Sequence, residues 1–406
     1  MNYNFDKPTL RRQSDSGKWN AYDEDVIPMW VADMDFVSPQ PVIQALKERI
    51  DHGVFGYPLG ASGKPEETME LRQIIVDRLW RLYSWQVQPE EIVFVPGVVT
   101  GFNLACQALA EPGGSVLVQP PVYHPILHAP GNAGLERQDV PLEQTSTGSY
   151  VIDFDAFEAA IDENTRLFIM CNPHNPVGRV FRQGELLRLA EICLRKGVVI
   201  CSDEIHCELL FSGERHTPIP SLAPEIAPNI ITLMAPSKTF NLPGFQFSFA
   251  IIPDKILRTR YMQAGKGLAG WINIMGWVAA RAAYQDGQDW LAQLLAYLEG
   301  NRDDLYGYVQ DELPGIRMVK PEGTYLAWLD CRELDLPNSP YEFFLQHARV
   351  AFNDGAMFGK GGEGFVRLNF GCPKPLLIEA LGRMKSALES SLSLSPALGE
   401  GRAGEG

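Results

Sequence analysis

Apolar residues recur along the chain in two patterns, one typical of buried strands and one typical of helices with a single buried face. Apolar spacing of three to four residues predicts a helix that is N-capped by Ser38 and stopped by Gly53, and a second helix at 65–83. Short apolar runs bounded by polar or turn residues predict strands at 92–95, 116–119, 167–171, 198–202, 230–233 and 249–252.

The strand-like runs between residues 92 and 252 are separated mostly by helical patterns. This alternation predicts an α/β fold with a mostly parallel, doubly wound sheet. The C-terminal third differs, because it combines long helical patterns with a few strands and therefore predicts a smaller α+β domain. The predicted units are an N-terminal arm that joins the small domain (1–44), a large domain (45–288), the small domain (289–392) and a disordered tail (393–406).

The composition excludes several classes of function. A net charge of −15 over 406 residues argues against binding to nucleic acids or anionic membranes, whose partners are normally basic. No apolar run approaches the roughly 18 residues of a membrane span, and the N-terminus has no apolar signal core. Seven cysteines, an odd number without a CxxC pair, indicate a reducing compartment, so we expect a cytoplasmic protein. The seven histidines have no metal-ligand spacing, and we predict no metal.

Lys238 carries the first chemical signal, because it follows a strongly apolar strand and precedes a turn that contains Gly244. Apolar surroundings disfavour the ammonium form of a lysine, so that its amine becomes a nucleophile. Such lysines form Schiff bases, and pyridoxal 5′-phosphate (PLP) is the commonest cofactor held in this way. A lysine that merely reaches into solvent is the alternative, and for a strand-end lysine on its own it is the more frequent case.

Two more polar residues follow apolar strands, Asp203 and Asn175. A carboxylate at Asp203 could pair with the pyridine nitrogen of PLP, and the Asn175 amide could donate to the phenolic oxygen. The alternatives are a helix N-cap for Asp203 and ordinary turn chemistry for Asn175. Because open α/β sheets bind ligands beyond the carboxyl ends of their strands, the three residues together favour a PLP site.

Nine longer segments carry a resemblance to a known family. They are PMWVADMDF (28–36), FGYP (55–58), VPGVVTGFN (95–103), QPPVYHP (119–125), CNPHNPVGRV (171–180), SDEIH (202–206), SKTFNLPGFQ (237–246), FNDGAMFG (352–359) and FVRLNFGCP (365–373). With these segments the chain resembles fold-type I PLP-dependent transferases, the aspartate aminotransferase-like class I/II aminotransferase superfamily. Within it the chain resembles the MalY/PatB group of cystathionine β-lyase-type C–S lyases.

The resemblance implies a set of site residues. Lys238, Tyr123 and Asp203 would be catalytic, and Tyr123 would stack on the pyridine ring. The expected cofactor contacts are Lys238, Asp203, Asn175, Tyr123, Val98, Val99, Thr100, Ser237, His206 and Tyr57. The expected substrate contacts are Arg367, Val31 and Ala32, with Arg367 clasping the α-carboxylate. From the residues alone, Arg367 could equally form a structural salt bridge, and the segment at 95–103 could be an ordinary capped helix.

Some positions depart from the superfamily pattern. Ala235 and Gln246 stand where many members have a serine and an arginine that bind phosphate, and His206 stands where a tyrosine is common. Fewer cations at the phosphate mildly favour the lyase group. Tyr57 resembles a tyrosine that crosses the subunit boundary to the neighbour's phosphate, which implies a homodimer with shared active sites.

The implied reaction is α,β-elimination on cystathionine or another S-substituted L-cysteine. An aminotransferase is the alternative, since both reactions begin with removal of the α-proton and use the same catalytic residues. A PLP-binding regulatory protein is a third possibility, although no sequence feature favours it. The expected partners are an amino-acid substrate and a second copy of the chain.

Overall fold

The structure, a computed structural model, describes residues 2–60 and 64–394. Its strands, in chain order, are β1 (Ile27–Pro28), β2 (Ile92–Val95), β3 (Ser115–Val118), β4 (Glu136–Asp139), β5 (Glu143–Gln144), β6 (Tyr150–Val151), β7 (Thr165–Cys171), β8 (Val199–Asp203), β9 (Ile230–Met234), β10 (Ser248–Ile251), β11 (Arg317–Met318), β12 (Leu326–Asp330), β13 (Val350–Ala351), β14 (Asn353–Asp354) and β15 (Phe365–Asn369).

Helices fill most of the intervals between these strands. The α-helices are α1 (Gln40–His52), α2 (Met69–Tyr83), α3 (Val98–Ala108), α4 (His124–Asn132), α5 (Phe154–Ala160), α6 (Gln183–Lys196), α7 (Pro236–Thr239), α8 (Lys255–Ala264), α9 (Ile274–Asp286), α10 (Gln288–Glu312), α11 (Pro340–Phe343) and α12 (Lys374–Leu394). Short 3₁₀ turns lie at Pro65–Thr68, Pro89–Glu91, Ile219–Ser221, Ala227–Asn229, Pro243–Phe245 and Gly355–Phe358, and a π-helical turn at Phe344–Ala348.

The large sheet has seven strands in the order β2-β10-β9-β8-β7-β3-β4. All neighbouring pairs from β9 to β4 are parallel, whereas β10 runs antiparallel to both β9 and β2. The prediction of a mostly parallel sheet is therefore confirmed. One edge strand, β4, was not predicted, because its sequence ERQD is polar and mostly exposed and so lacks the apolar run that marks the others.

The carboxyl ends of β2, β3, β7, β8 and β9 meet at one edge of this sheet because these strands all run in the same direction. Most of their inner residues are apolar and buried, as expected for strands covered by helices on either side. The loops that leave this edge are therefore held by a rigid frame.

A second sheet, in the order β11-β12-β15-β14, is antiparallel and lies in the C-terminal third of the chain. The N-terminal segment joins this part through β1, which pairs in parallel with β13. The helix α12 covers this region and extends two residues beyond the predicted boundary at residue 392. Of the tail predicted to be disordered, residues 395–406 lie outside the described residues.

The predicted start of the first helix is wrong in detail. The residue before α1 is Pro39, and Ser38 makes no capping bond. Instead, the Ser38 hydroxyl donates to the backbone oxygen of Asn241, 3.0 Å away. Gly53 ends the helix as predicted, with a left-handed φ of 74° that glycine adopts without steric cost.

The seven cysteines are all buried and none is paired, as small apolar side chains of a core would be. Among the described residues, we found no helix with both the length and the hydropathy needed to span a bilayer.

Candidate active site

A cavity of about 270 Å³ opens at the carboxyl edge of the large sheet. Its lining includes most of the predicted site residues, namely Ala32, Val98, Val99, Thr100, Tyr123, Asn175, Asp203, His206, Ser237 and Lys238. Residues more than 200 positions apart in the chain thus meet in one place, because each follows the end of a neighbouring strand or lies on the N-terminal segment that covers them.

Lys238 lies in the short helix α7, four residues beyond the end of β9. Its Nζ donates to the backbone oxygen of Ala32 at 2.6 Å. Burial, assisted by the positive charge of Arg367, lowers the pKa of Lys238 to about 8. A substantial fraction of the amine is therefore neutral near physiological pH, which a nucleophile or general base requires.

Asp203 ends β8 and is almost completely buried. Burial raises the pKa of its carboxyl to about 7, against the lowering effects of a hydrogen bond from the backbone N–H of Ile205 (3.2 Å) and of the charge on Lys238. No helix follows Asp203 in this part of the described chain, so that the N-cap alternative is wrong. A buried carboxyl in contact with a cavity, with so little local compensation, is typical of a functional site.

Arg367 lies in β15 and is buried. Its guanidinium donates hydrogen bonds to three uncharged acceptors. Its Nη1 donates to Asn175 Oδ1 (2.9 Å), and its Nη2 donates to Asn353 Oδ1 (2.5 Å) and to the backbone oxygen of Trp30 (3.0 Å). Its Nε has no partner among the described residues, and no carboxylate of the described chain pairs with it. The structural salt bridge that the sequence left open is thus not formed.

Burial lowers the pKa of Arg367 to about 10, because no carboxylate of the described residues lies close enough to offset the loss of hydration of its charge. Because an isolated buried cation is costly, an anionic ligand would compensate a charge that the protein itself leaves unbalanced. The same guanidinium lies 5.0 Å over the ring of Phe358, which holds its plane in a fixed direction.

The N-terminus of α3 also lines the cavity. Gly97, with φ of 91°, turns the chain into the helix, and the first backbone bond into the helix runs from Gly101 N–H to Gly97 O at 3.1 Å. The amides of Val98, Val99 and Thr100 therefore have no intrahelical acceptor, and they can bind an anion. The Thr100 hydroxyl donates to the backbone oxygen of Pro96 (3.0 Å), so its proton is not directed into the cavity.

Tyr123 and His206 line the same cavity. Burial raises the pKa of the Tyr123 phenol, and burial together with the nearby charges of Lys238 and Arg367 lowers the pKa of His206 well below its usual range. His206 is therefore neutral at physiological pH. Its Nδ1 has no partner among the described residues, and its ring packs edge-on against Tyr325 at 6.0 Å.

Three predicted residues do not line the cavity. Arg367 lies outside its lining and reaches it through the hydrogen bond to Asn175. Val31 contributes only its backbone oxygen, which accepts a 2.5 Å bond from Asn369 Nδ2. Tyr57 is 83% exposed and lies elsewhere on the surface, with its ring against that of Trp271 at 5.3 Å. The contact of Tyr57 with a neighbouring subunit stays a prediction.

Sequence reasoning missed two asparagines that hold the N-terminal segment over the cavity. Asn241 donates to the backbone oxygens of Met34 and Phe36, both at 2.8 Å. Asn369 donates to the backbone oxygens of Val31 and Asp33. Asn241 has a left-handed φ of 57°, but a sequence offers no sign of such a partner 200 residues away.

A buried ion-pair cluster fastens the same segment from the other side. Asp35 accepts from Arg11 (2.6 Å), from Lys18 (2.8 Å) and from the indole of Trp19 (2.7 Å). These contacts outweigh the desolvation of the carboxylate, and the pKa of Asp35 is lowered. The backbone oxygen of Ala32, which meets Lys238, is thus set by residues remote from the cavity.

Tyr325 is a further residue that the sequence did not reveal. Its hydroxyl donates to the same Ala32 oxygen at 2.8 Å, so that this carbonyl accepts from both Tyr325 and Lys238. Tyr325 immediately precedes β12 and therefore connects the small sheet to the lysine through one backbone group.

Comparison with known proteins assigns the family. The family model for aminotransferase class I and II matches residues 24–384. The chain belongs to this family. It is 41% identical over 394 residues to the cystathionine beta-lyase PatB of Bacillus subtilis, an alignment that covers 95% of this chain and 100% of PatB.

Solved structures agree with this assignment. Cystalysin from Treponema denticola, whose crystal structure contains pyridoxal 5′-phosphate, superposes with a TM-score of 0.91 at 31% identity, covering 96% of this chain and 100% of cystalysin. A PLP-bound C–S lyase from Staphylococcus hominis superposes with a TM-score of 0.88 at 33% identity, covering 96% of this chain and 98% of the lyase. The predicted fold-type I architecture is therefore confirmed.

Proposed function

We propose that the protein is a PLP-dependent C–S β-lyase that cleaves cystathionine or another S-substituted L-cysteine into a thiol, pyruvate and ammonia. The observation that carries the proposal is the buried, uncompensated Arg367, which donates to Asn175 at the cavity that Lys238 and Asp203 also line. The similarity to PatB and to C–S lyases of known structure favours elimination over transamination.

The residues of the cavity fit PLP group by group. The free amides of Val98 and Val99 offer donors to a phosphate, with the hydroxyl of Ser237 nearby. The buried Asp203 carboxyl gains an ionic partner if it faces a protonated pyridine nitrogen, which would offset the desolvation that raises its pKa. When bound, PLP supplies an electron sink that stabilises negative charge on the substrate α-carbon.

The remaining cofactor contacts follow from the lining of the cavity. Tyr123 presents an aromatic ring for stacking, and Asn175 presents an amide beside it. The Oδ1 of Asn175 accepts from Arg367, which leaves its amide N–H groups to donate. His206, neutral and with an unpartnered Nδ1, can exchange one hydrogen bond with the cofactor.

Arg367 binds the substrate α-carboxylate in this proposal, because a bidentate guanidinium–carboxylate pair supplies the missing negative charge. The neutral amine of Lys238 then removes the α-proton of the bound amino acid, and the C–S bond at the β-carbon breaks with its electron pair on sulfur. The Ala32 oxygen accepts from the lysine whenever the amine is free, and so holds it in reach. Released enamine hydrolyses in water to pyruvate and ammonia.

One assay separates the proposed reaction from its alternative. The purified protein with PLP is offered L-cystathionine alone, and separately an amino acid with an oxo-acid acceptor. We expect pyruvate and free thiol in the first assay, and loss of both in Lys238→Ala but not in the matched surface variant Lys255→Ala, whose lysine is exposed on α8. Transaminated product without thiol would identify an aminotransferase, and cofactor binding without either product would identify a regulatory protein.

We further propose a homodimer with shared active sites. Residues 54–59 expose Val54, Phe55, Tyr57 and Leu59, and the exposed Trp271 lies against Tyr57. A contiguous apolar surface of this kind is typical of a subunit interface. In such a dimer Tyr57, which is remote from its own cavity, would reach the phosphate bound by the neighbouring subunit.

Subunit complementation tests this arrangement. Lys238→Ala and Tyr57→Phe chains, each inactive alone, should regain activity when mixed, because one site of the mixed dimer would carry both defects and the other neither. A pull-down with two different tags verifies that mixed dimers form. Verified mixed dimers without activity, or a fully active monomer on a sizing column, would contradict the shared site.

A further inference from the structure

A second cavity, larger than the candidate active site, lies elsewhere in the structure. It has a volume of about 330 Å³ and lies between the turn of the β5–β6 hairpin and the strands β11 and β12. We call it the outer cavity. Residues from both sides face it, including Thr147 and Ser149 on the hairpin, Arg317 in β11 and Lys320 just after it, and Arg179 and Trp328 at its base.

The outer cavity is rich in hydrogen-bond donors, although the chain as a whole has a net charge of −15. Four basic residues line it, and its two acidic residues, Glu322 and Asp330, are already engaged. Glu322 accepts from Arg182 and from the backbone N–H of Val180, both at 2.7 Å, and Asp330 accepts from Arg332 at 2.6 Å. Both carboxylates of the outer cavity therefore already accept hydrogen bonds from other residues of the protein.

Several donors, in contrast, are available. The hydroxyls of Ser146 and Ser149 form no side-chain hydrogen bond within the described residues, whereas Arg179 pairs with Glu185 and its one unpartnered nitrogen is itself buried. Arg317 and Lys320 pair with Glu333 and Asp303 respectively, but these are exposed ion pairs, which are worth little and exchange readily. A multivalent anion could recruit both cations.

The base of the cavity is apolar. Trp328 stacks on Phe365 with ring centroids 4.9 Å apart and planes 7° apart, and Val177 and Met318 add further apolar side chains to the lining. The combination of hydroxyls and cations at the rim with apolar groups at the base suits a molecule that has a charged group and an apolar body.

We propose that the outer cavity binds a small organic phosphate and that this binding acts on the active site. The phosphate would be held by Arg317 and Lys320 together with the hairpin hydroxyls, and the apolar body would lie over Val177 and Trp328. Because these groups belong to both walls of the crevice, the ligand draws the hairpin and the small sheet together.

Two direct connections join the outer cavity to the candidate active site. The segment 175–179 has Asn175 in the active-site cavity and Val177 and Arg179 in the outer one. On the other wall, Trp328 pairs with Arg367 across β12 and β15 and touches Phe358, the ring under that guanidinium. Both routes end at Arg367, so occupancy should change the KM for the amino-acid substrate more than kcat.

The direction follows from the geometry. A ligand that bridges the two walls favours the arrangement in which Arg367 and Asn175 stay in contact, and substrate would then bind to a more completely formed site. We expect the organic phosphate to lower KM. This second effect rests on the proposed lyase activity, whereas the binding itself does not.

Calorimetric titration of the PLP-loaded protein with phenyl phosphate tests the binding, because the cofactor then fills the phosphate end of the active site. We expect saturable binding with a Kd below about 1 mM, and at least about tenfold weaker binding to the double variant Arg317→Gln with Lys320→Gln. Arg195→Gln is the matched control, since Arg195 is a similarly exposed arginine paired with Glu158 away from the cavity. Inorganic phosphate should bind more weakly than phenyl phosphate.

Each other outcome counts against the proposal. An absence of saturable binding would overturn it, and so would equal binding by the double variant, because the ligand would then lie elsewhere. Binding that depends on Arg317 and Lys320 but leaves the KM of an active enzyme unchanged would retain the site and reject the coupling. If the protein shows no lyase activity at all, the titration still decides the binding site.

Discussion

Asp203 should destabilise the cofactor-free protein, and replacing it should therefore increase stability while harming function. In the folded state burial raises its pKa from 3.8 to about 7. Below pH 3.8 the carboxyl is protonated in the folded and unfolded states alike, so that it does not change the free energy of unfolding. As the pH rises, ionisation favours the unfolded state. The resulting loss of stability reaches its full value once the pH exceeds the pKa of Asp203 in the folded state.

The shift of about three pKa units corresponds to about 4 kcal/mol, since one unit is about 1.4 kcal/mol. Asp203→Asn keeps the shape and can still accept from the Ile205 N–H, which lies 3.2 Å away, but it never ionises. The variant without cofactor should thus be more stable than wild type by up to about 4 kcal/mol at pH 8, and this gain should shrink to about 2 kcal/mol near pH 5.5.

Urea unfolding of the two cofactor-free proteins, at equal chain concentration and several pH values, measures the difference. Asp311→Asn on the exposed surface of α10 serves as the control and should change stability by less than about 0.5 kcal/mol. With cofactor present, the order should reverse, because a neutral amide at this position cannot form an ion pair with a pyridinium. A less stable variant at pH 8, or a gain that does not depend on pH, would refute the reasoning.

Three further outcomes are expected. Borohydride reduction should fix the cofactor on Lys238, as peptide mass spectrometry would detect, and an adduct on another lysine would contradict this. Lys238→Ala should lower the rate by at least the roughly 10²–10⁴-fold contribution of proton transfer. Arg367→Ala should raise the KM of the amino-acid substrate by about 10²-fold or more, because an unpaired buried carboxylate costs about 2–5 kcal/mol, and Arg367→Lys should recover part of the loss in steady-state kinetics. Tyr325→Phe removes one of the two donors to the Ala32 oxygen and should raise the pH midpoint of Lys238 acylation in the cofactor-free protein, by less than about one unit; an unchanged or lowered midpoint would show that the hydroxyl does not act on the lysine.

Local patterns predicted the parts of the fold that depend on local burial. Strands such as β2 and β9 lie within a residue of their predicted bounds, because buried parallel strands are continuous apolar runs. The polar edge strand β4 was not predicted, since only its backbone pairs with the sheet. Ser38 was misassigned because its hydroxyl has a tertiary acceptor, Asn241, in place of a helix end.

The candidate site divides in the same way. Lys238, Asp203 and Asn175 were found because each follows a recognisable strand, whereas Asn241, Asn369 and Tyr325 act through backbone atoms of a remote segment. No periodicity or motif in the sequence predicts which backbone carbonyl a side chain will contact in the folded protein. Likewise, the missing counter-ion of Arg367 became visible only when all of its neighbours were known.

The clasp on residues 31–36 has a consequence for the order of folding. Its partners Asn241 and Asn369 are separated from this segment by more than 200 and more than 330 residues along the chain. Contacts between residues so distant in sequence require the closure of long loops, and they therefore tend to form late in folding. The surroundings of the lysine should thus close only after the strands of the large sheet have paired, so that in a refolding experiment tight retention of the cofactor should return later than the secondary structure.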